Sequence, residues 1–152
     1  MERVIDLYKK FGNNGYIGEQ VTQLEHATQC ALFAEEQCDE NDPIRNDLIL
    51  GCLFHDVGHL VFYNNPEIET MKEYGVMNHE RVGSKYLSNL GFNKNICEFV
   101  EKHIITKRYL ITTNPEYYNN LSDASKKTYE YQGGKLSKKE VDHFENNKLF
   151  KY

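Results

Sequence analysis

The sequence predicts an all-α fold, a single helical bundle spanning residues 1–152. Three observations lead there. Apolar residues recur at steps of three and four along most of the chain, helix-starting caps precede these runs, and no segment alternates in the two-residue rhythm of a strand.

The elements follow in order. From Glu19 to Gln37, Leu24, Ala27, Ala31 and Ala34 mark one buried face. Asp42 reads as an N-cap and Pro43 as the first helical position of the next helix. That helix carries Ile44, Leu48, Ile49, Cys52 and Leu53 into His55. Asn64-Asn65-Pro66 marks a loop. A helix from about residue 78 to Leu90 ends at Gly91, a left-handed C-cap. Asn93 caps the next helix, which holds Ile96, Val100 and His103. Asn114-Pro115 opens a short helix, and Ser122 opens another that ends near Gly133-Gly134. Ser137 and Glu140 form a capping-box signature for a last helix.

Composition narrows the class of function. With 152 residues, 39% of them apolar and 27% charged, the chain can bury one core. A net charge of -5 argues against nucleic acid or an anionic membrane as partner. No apolar run approaches the roughly 20 residues that span a bilayer. The opening residues resemble neither a secretory signal nor a basic transit peptide. The four cysteines include no CxxC pair, so the expectation is a reducing, cytoplasmic setting, with Cys30 and Cys52 as small apolar residues. A monomer is expected for a bundle of this size.

Five residues carry the chemistry: His26, the pair His55-Asp56, His79 and His103. Taken singly, each histidine is an ordinary core or surface residue. Together they fall on separate expected helices, and bundles build metal sites from inward-facing side chains on facing helices. Asp56 lies in the apolar run from Leu53 to Leu60, where a carboxylate is costly unless it is paired or bound to a metal. It follows His55 directly and points about a quarter-turn away. Its two oxygens then reach different metals. One metal takes His26, His55 and Asp56; the other takes Asp56, His79 and His103. Imidazole plus carboxylate suits iron, manganese or zinc. His143 fits no part of the pattern and reads as a surface residue.

The residues around these ligands carry a family resemblance. Tyr16-Ile17-Gly18-Glu19, Gln23 to His26, His55 to His59, Tyr74 to Glu80, His103 to Tyr109, Leu121 to Thr128 and Tyr131 to Gly134 resemble the PhnZ-type HD-domain oxygenases. The likeness runs from about Gly15 to Phe150. It implies an HD scaffold holding a mixed-valent di-iron centre, Fe(II)/Fe(III), with dioxygen as co-substrate. The implied reaction cleaves the carbon–phosphorus bond of a 1-hydroxyalkylphosphonate, such as 2-amino-1-hydroxyethylphosphonate giving glycine and phosphate. The implied catalytic and metal residues are His26, His55, Asp56, His79 and His103. The implied substrate-binding residues are Tyr16, Glu19, His59, Lys107, Ser125 and Thr128. Lys107, His59, Ser125 and Thr128 would cradle the phosphonate, Glu19 would pair with an ammonium, and Tyr16 would act as a lid or occupy an open iron position in the absence of substrate. Arg108 and Tyr109 match the motif without an assigned chemical role.

The family pattern also includes a late Trp-Asp segment with a final iron ligand and an arginine, and this sequence has no tryptophan. A C-terminally shortened chain is the expectation, with water, Asp123 or Asp142 as other sources of the missing ligand. Two other functions fit an HD site. One is a metal-dependent phosphohydrolase with two metals activating water. The other is a catalytically silent module that binds a phosphonate or phosphate.

Overall fold

A computed structural model describes residues 1–152, and the chain is all α. Its helices are α1 (Glu2–Phe11), α2 (Gln23–Gln37), α3 (Arg45–Phe54), α4 (Val57–Phe62), α5 (His79–Asn89), α6 (Lys94–Thr113), α7 (Pro115–Asn119), α8 (Asp123–Tyr131) and α9 (Lys138–Glu145). One turn of 3-10 helix covers Lys72–Tyr74. The nearest approach to a sheet is a pair of isolated bridges, Gly15 with Thr22 and Thr70 with Val76.

Most of the expected caps act as read. Asn93, Asn114 and Ser122 each accept a backbone N–H at the start of their helix. Ser137 and Glu140 form the reciprocal capping box. Gly91 takes φ +81° just past α5. Two boundaries differ, and one helix was not expected. α2 starts at Gln23 because Thr22 and Glu25 form a capping box there, which leaves residues 19–21 outside the helix. α3 starts at Arg45; Asp42 still accepts the Ile44 N–H, but in a turn ahead of the helix. α1 lay outside the expected elements, because only Val4 and Leu7 of its ten residues are buried and charge dominates the rest.

The main core gathers Val4, Leu7, Phe54, Val57, Leu60, Leu87, Ile96, Cys97 and Val100 from α1, α3, α4, α5 and α6. α2 packs on α3, α3 on α6, α6 on α5 and α5 on α4. This chain of contacts turns the metal-type residues of four helices toward one point.

Two backbone details set that point. The helix breaks at His55-Asp56, where Asp56 takes φ -100° and ψ 10°, so α3 and α4 are separate helices. The Tyr8 hydroxyl of α1 donates to the Leu53 carbonyl just before the break, at 2.8 Å. Gly58 lets α4 approach the start of α5. A Cβ there would lie 2.0 Å from the His79 carbonyl oxygen, a backbone atom with nowhere to go.

Gly58→Ala should therefore destabilise the fold by about 1–3 kcal/mol, the usual range for overpacking a core. Gly15→Ala, where an added Cβ meets nothing within 4 Å, should be near neutral. Urea unfolding of the two variants checks this, and equal midpoints would contradict the close-approach argument.

Candidate metal centre

Asp56 is buried, with 5% of its surface exposed, and sits among four imidazoles. Its Oδ2 lies 2.9 Å from His55 Nε2 and 3.5 Å from His26 Nε2. Its Oδ1 lies 3.1 Å from His79 Nε2 and 3.5 Å from His103 Nε2. The two nitrogens within each pair are also close: His26 to His55 at 3.1 Å, and His79 to His103 at 3.0 Å. The structure thus brings the five residues together as two triangles that share one carboxylate.

The tautomers follow from the partners. His55 Nδ1 donates to the Cys52 carbonyl (2.7 Å), His79 Nδ1 to the Val76 carbonyl (3.3 Å) and His103 Nδ1 to the Val100 carbonyl (2.8 Å). Each bond reaches three residues back, so the local backbone fixes each ring and frees Nε2 for the centre. In each triangle three lone-pair-bearing atoms converge. A single proton satisfies one contact and leaves the others acceptor against acceptor. A divalent cation satisfies all three. With bonds near 2.0–2.2 Å and angles of 90–110°, donors around such an ion stand about 2.8–3.6 Å apart, as they do here. Oδ2 has no hydrogen-bond partner in the protein. Burial opposes charge on Asp56, but positive charge at His55 and donation from His103, His26 and His55 outweigh it and hold the carboxyl well below its usual range, so the carboxylate is stable where positive charge stands beside it.

His59 completes this wall without joining a triangle. Its Nδ1 accepts the Val76 N–H at 3.1 Å, and its ring stacks on His79 at 4.1 Å. Burial pushes its pKa down to about 3, with His79 adding to the shift, so it is neutral and its proton sits on Nε2. Val76 therefore orients two histidines, through its N–H and its C=O. Gly75, at φ +88°, leaves the space: a Cβ there would sit 2.6 Å from the His59 ring. These contacts explain why Tyr74-Gly75-Val76 precedes His79 at this spacing.

The triangles open into a cavity of about 790 Å³. Lys107, one turn beyond His103 on α6, lines it together with Ser125 and Thr128 of α8. Lys107 Nζ donates to Thr128 Oγ1 at 2.9 Å and to Gln132 Oε1 at 3.4 Å. Burial pulls its pKa down to about 8, against the opposing pull of Asp56. Tyr16 lies over the His26 ring at 3.9 Å, and burial next to Asp56 keeps its phenol protonated. Glu19 is exposed on the turn after Tyr16, outside the cavity wall.

Several residues depart from the sequence reading. Asp142 is exposed and paired with Lys138 at 2.7 Å, and neither it nor Asp123 borders the cavity, so neither stands in for a metal ligand. His143 is exposed on α9, as expected. Cys30, read as a small apolar residue, borders the His26–His55 triangle instead. Its signal was its position four residues after His26, on the same helical face. Gln132 was also missed as a cavity residue. Arg108 donates to the carbonyls of Gly134 (2.8 Å) and Gly133 (3.2 Å), so it anchors the end of α8, which carries Thr128.

Residues 24–133 match the HD domain family, a span that holds both triangles, Lys107 and Thr128. The chain is 45% identical over 147 residues to uncharacterized protein L432 of Acanthamoeba polyphaga mimivirus, covering 97% of this chain and 64% of that protein. It is 35% identical over 147 residues to the [1-hydroxy-2-(trimethylamino)ethyl]phosphonate dioxygenase (glycine-betaine-forming) of Leisingera caerulea, covering 97% of this chain and 71% of that one. It is also 35% identical, over 148 residues, to the hydroxymethylphosphonate dioxygenase of Gimesia maris, covering 96% of this chain and 70% of that one.

Lys107 gives the cavity a cationic anchor that titrates. Phosphate binding to the wild type and to Lys107→Met, measured by calorimetry across pH, should differ fully near pH 7. The difference should shrink as pH rises through about 8 and Lys107 loses its charge. A difference that stays constant to pH 10 would mean that the ammonium does not face the anion.

Proposed function

The chain belongs to the HD-domain family, and to the part of it that includes the hydroxyalkylphosphonate dioxygenases; on that premise we propose that it uses dioxygen to cleave the carbon–phosphorus bond of a 1-hydroxyalkylphosphonate. The single observation that carries this reading is the shared cavity: two carboxylate-linked histidine pairs open onto a half-buried lysine and hydroxyl donors. The chain spans about two thirds of the length of these relatives, and the proposal concerns the site it contains.

Two iron ions, Fe(II) and Fe(III), would supply the redox chemistry and the activation of dioxygen. His26, His55 and Asp56 Oδ2 would hold one, and His79, His103 and Asp56 Oδ1 the other. The protein's own residues bind and orient the substrate. Lys107 faces the dianionic phosphonate, and neutral His59 donates from Nε2. Thr128 accepts from Lys107 and donates to the Ser125 carbonyl at 3.1 Å, so it aims the ammonium. The Ser125 hydroxyl adds a donor. This anchoring presents the substrate's hydroxyl carbon to the His26–His55 side. Tyr16 covers that side and must swing off His26 to admit substrate. Glu19, on the outer turn, pairs with an ammonium at the far end of the substrate. With 2-amino-1-hydroxyethylphosphonate, the hydroxyl carbon becomes the carboxylate of glycine, phosphorus leaves as phosphate, and one dioxygen is consumed. No helix is long and apolar enough to cross a membrane. We place the enzyme in the cytoplasm as a monomer.

The test is to load the protein with iron anaerobically, add 2-amino-1-hydroxyethylphosphonate or hydroxymethylphosphonate, and then admit oxygen. The reading requires one dioxygen consumed per phosphate released. Phosphate released from esters without oxygen uptake would make the chain a phosphohydrolase, and binding without product would make it a silent module. Glu19→Ala should raise KM for the amine-bearing substrate by about two- to fivefold, the scale of an exposed ion pair. It should leave hydroxymethylphosphonate, which has no amine, unchanged. Equal effects on both would remove Glu19 from that role.

A further inference from the structure

The two triangles are chemically unlike. The His79–His103 half meets only nitrogen and oxygen. The His26–His55 half also meets sulfur. Cys30 lies one helical turn after His26 on α2, and its Sγ is 3.8 Å from His26 Nε2. The Cys30 sulfur and the ring nitrogens of His26 and His55 all lie within 4.8 Å of one another.

A cysteine near a histidine is not by itself a site. Here a second, independent atom points into the same space. Asp56 Oδ2 is buried, lacks a hydrogen-bond partner, and faces His55 and His26 rather than the other pair. The sulfur and the two imidazole nitrogens thus lie within 4.8 Å of one another, and Asp56 Oδ2 meets the same two nitrogens at 3.5 and 2.9 Å. The spacing from His26 suits an ion that also accepts the sulfur. With a metal–sulfur bond near 2.3 Å and metal–nitrogen bonds near 2.0–2.1 Å, a tetrahedral ion sets sulfur about 3.6 Å from nitrogen. On the His26 side the Cys30 sulfur stands at 3.8 Å, a few tenths of an ångström beyond that spacing, and a turn about its single side-chain torsion moves it inward. Cys52 does not compete. Its contribution is the carbonyl that orients His55, and its sulfur is not among the clustered donors.

We propose that Cys30 is a thiolate ligand of the metal held by His26, His55 and Asp56, making that half an N₂OS site for a thiophilic divalent ion such as iron, cobalt or zinc. On binding, the metal–sulfur bond forms and the thiol proton leaves to solvent, with no change of oxidation state. The anionic sulfur supplies this half with a second negative donor from inside the bundle. The His79–His103 half, without sulfur, is left as the more weakly held and more easily exchanged position. The inference rests on the two-metal reading of the proposed function and adds a ligand to it.

Cobalt(II) titration of the metal-free protein, kept anaerobic, reads the sulfur directly. The wild type should show a thiolate-to-cobalt charge-transfer band in the near ultraviolet that grows with one of two bound equivalents. X-ray absorption of the same sample should show one sulfur scatterer per two cobalts. Cys30→Ser should lose the band while Cys38→Ser, distant from the site, keeps it. Two cobalts bound by the wild type with neither band nor sulfur scatterer would overturn the thiolate assignment and leave the two-metal reading standing. A band that survives in Cys30→Ser would also overturn it. A wild type that binds no cobalt would remove both.

Discussion

The Asp56 carboxylate is the constraint to which the rest of the structure answers. A buried carboxylate among imidazole lone pairs is unfavourable unless cations enter between them. The fold supplies the geometry for two such cations and little else at that point. The helix breaks at His55-Asp56 so that the two oxygens face opposite pairs. Gly58 brings α4 against the start of α5, and Val76 orients His59 and His79 with one N–H and one C=O. Three rings are locked by backbone carbonyls, so the centre is preorganised rather than assembled around its ions.

From that centre the cavity divides by charge. One wall is the carboxylate and its histidines; the other is a cation, Lys107, held by Thr128 and Gln132. α6 links the two, because His103 and Lys107 sit one turn apart on it. Arg108, next in sequence, reaches away from the cavity and fastens the loop that ends α8. Two adjacent cations on one helix thus do different work. One lines the cavity beside Thr128, and the other holds in place the end of the helix that carries Thr128.

Much of this was readable before any coordinates. The ligand set stood out because a His-Asp pair inside an apolar run has few explanations, and the caps stood out because they combine specific residues at fixed offsets. Other features were hidden for physical reasons. α1 buries only Val4 and Leu7, too few to mark a period. The start of α2 depended on which of several polar residues closed a capping box. Cys30 looked like its apolar neighbours, because spacing along a helix does not say which face turns toward His55. The carboxylates weighed as substitute ligands, Asp123 and Asp142, required knowing where α8 and α9 pack. Glu19 was readable as a residue beside Tyr16, but not as one that stands exposed on a turn.

The central claim is that one carboxylate ties two metal positions together, and metal content decides it most directly. Elemental analysis of the iron-loaded wild type and of Asp56→Ala, with circular dichroism to confirm that both are folded, compares the two cases. The account predicts two irons per wild-type chain and the loss of both, not one, in the folded variant. A folded Asp56→Ala protein that retains two irons would contradict it.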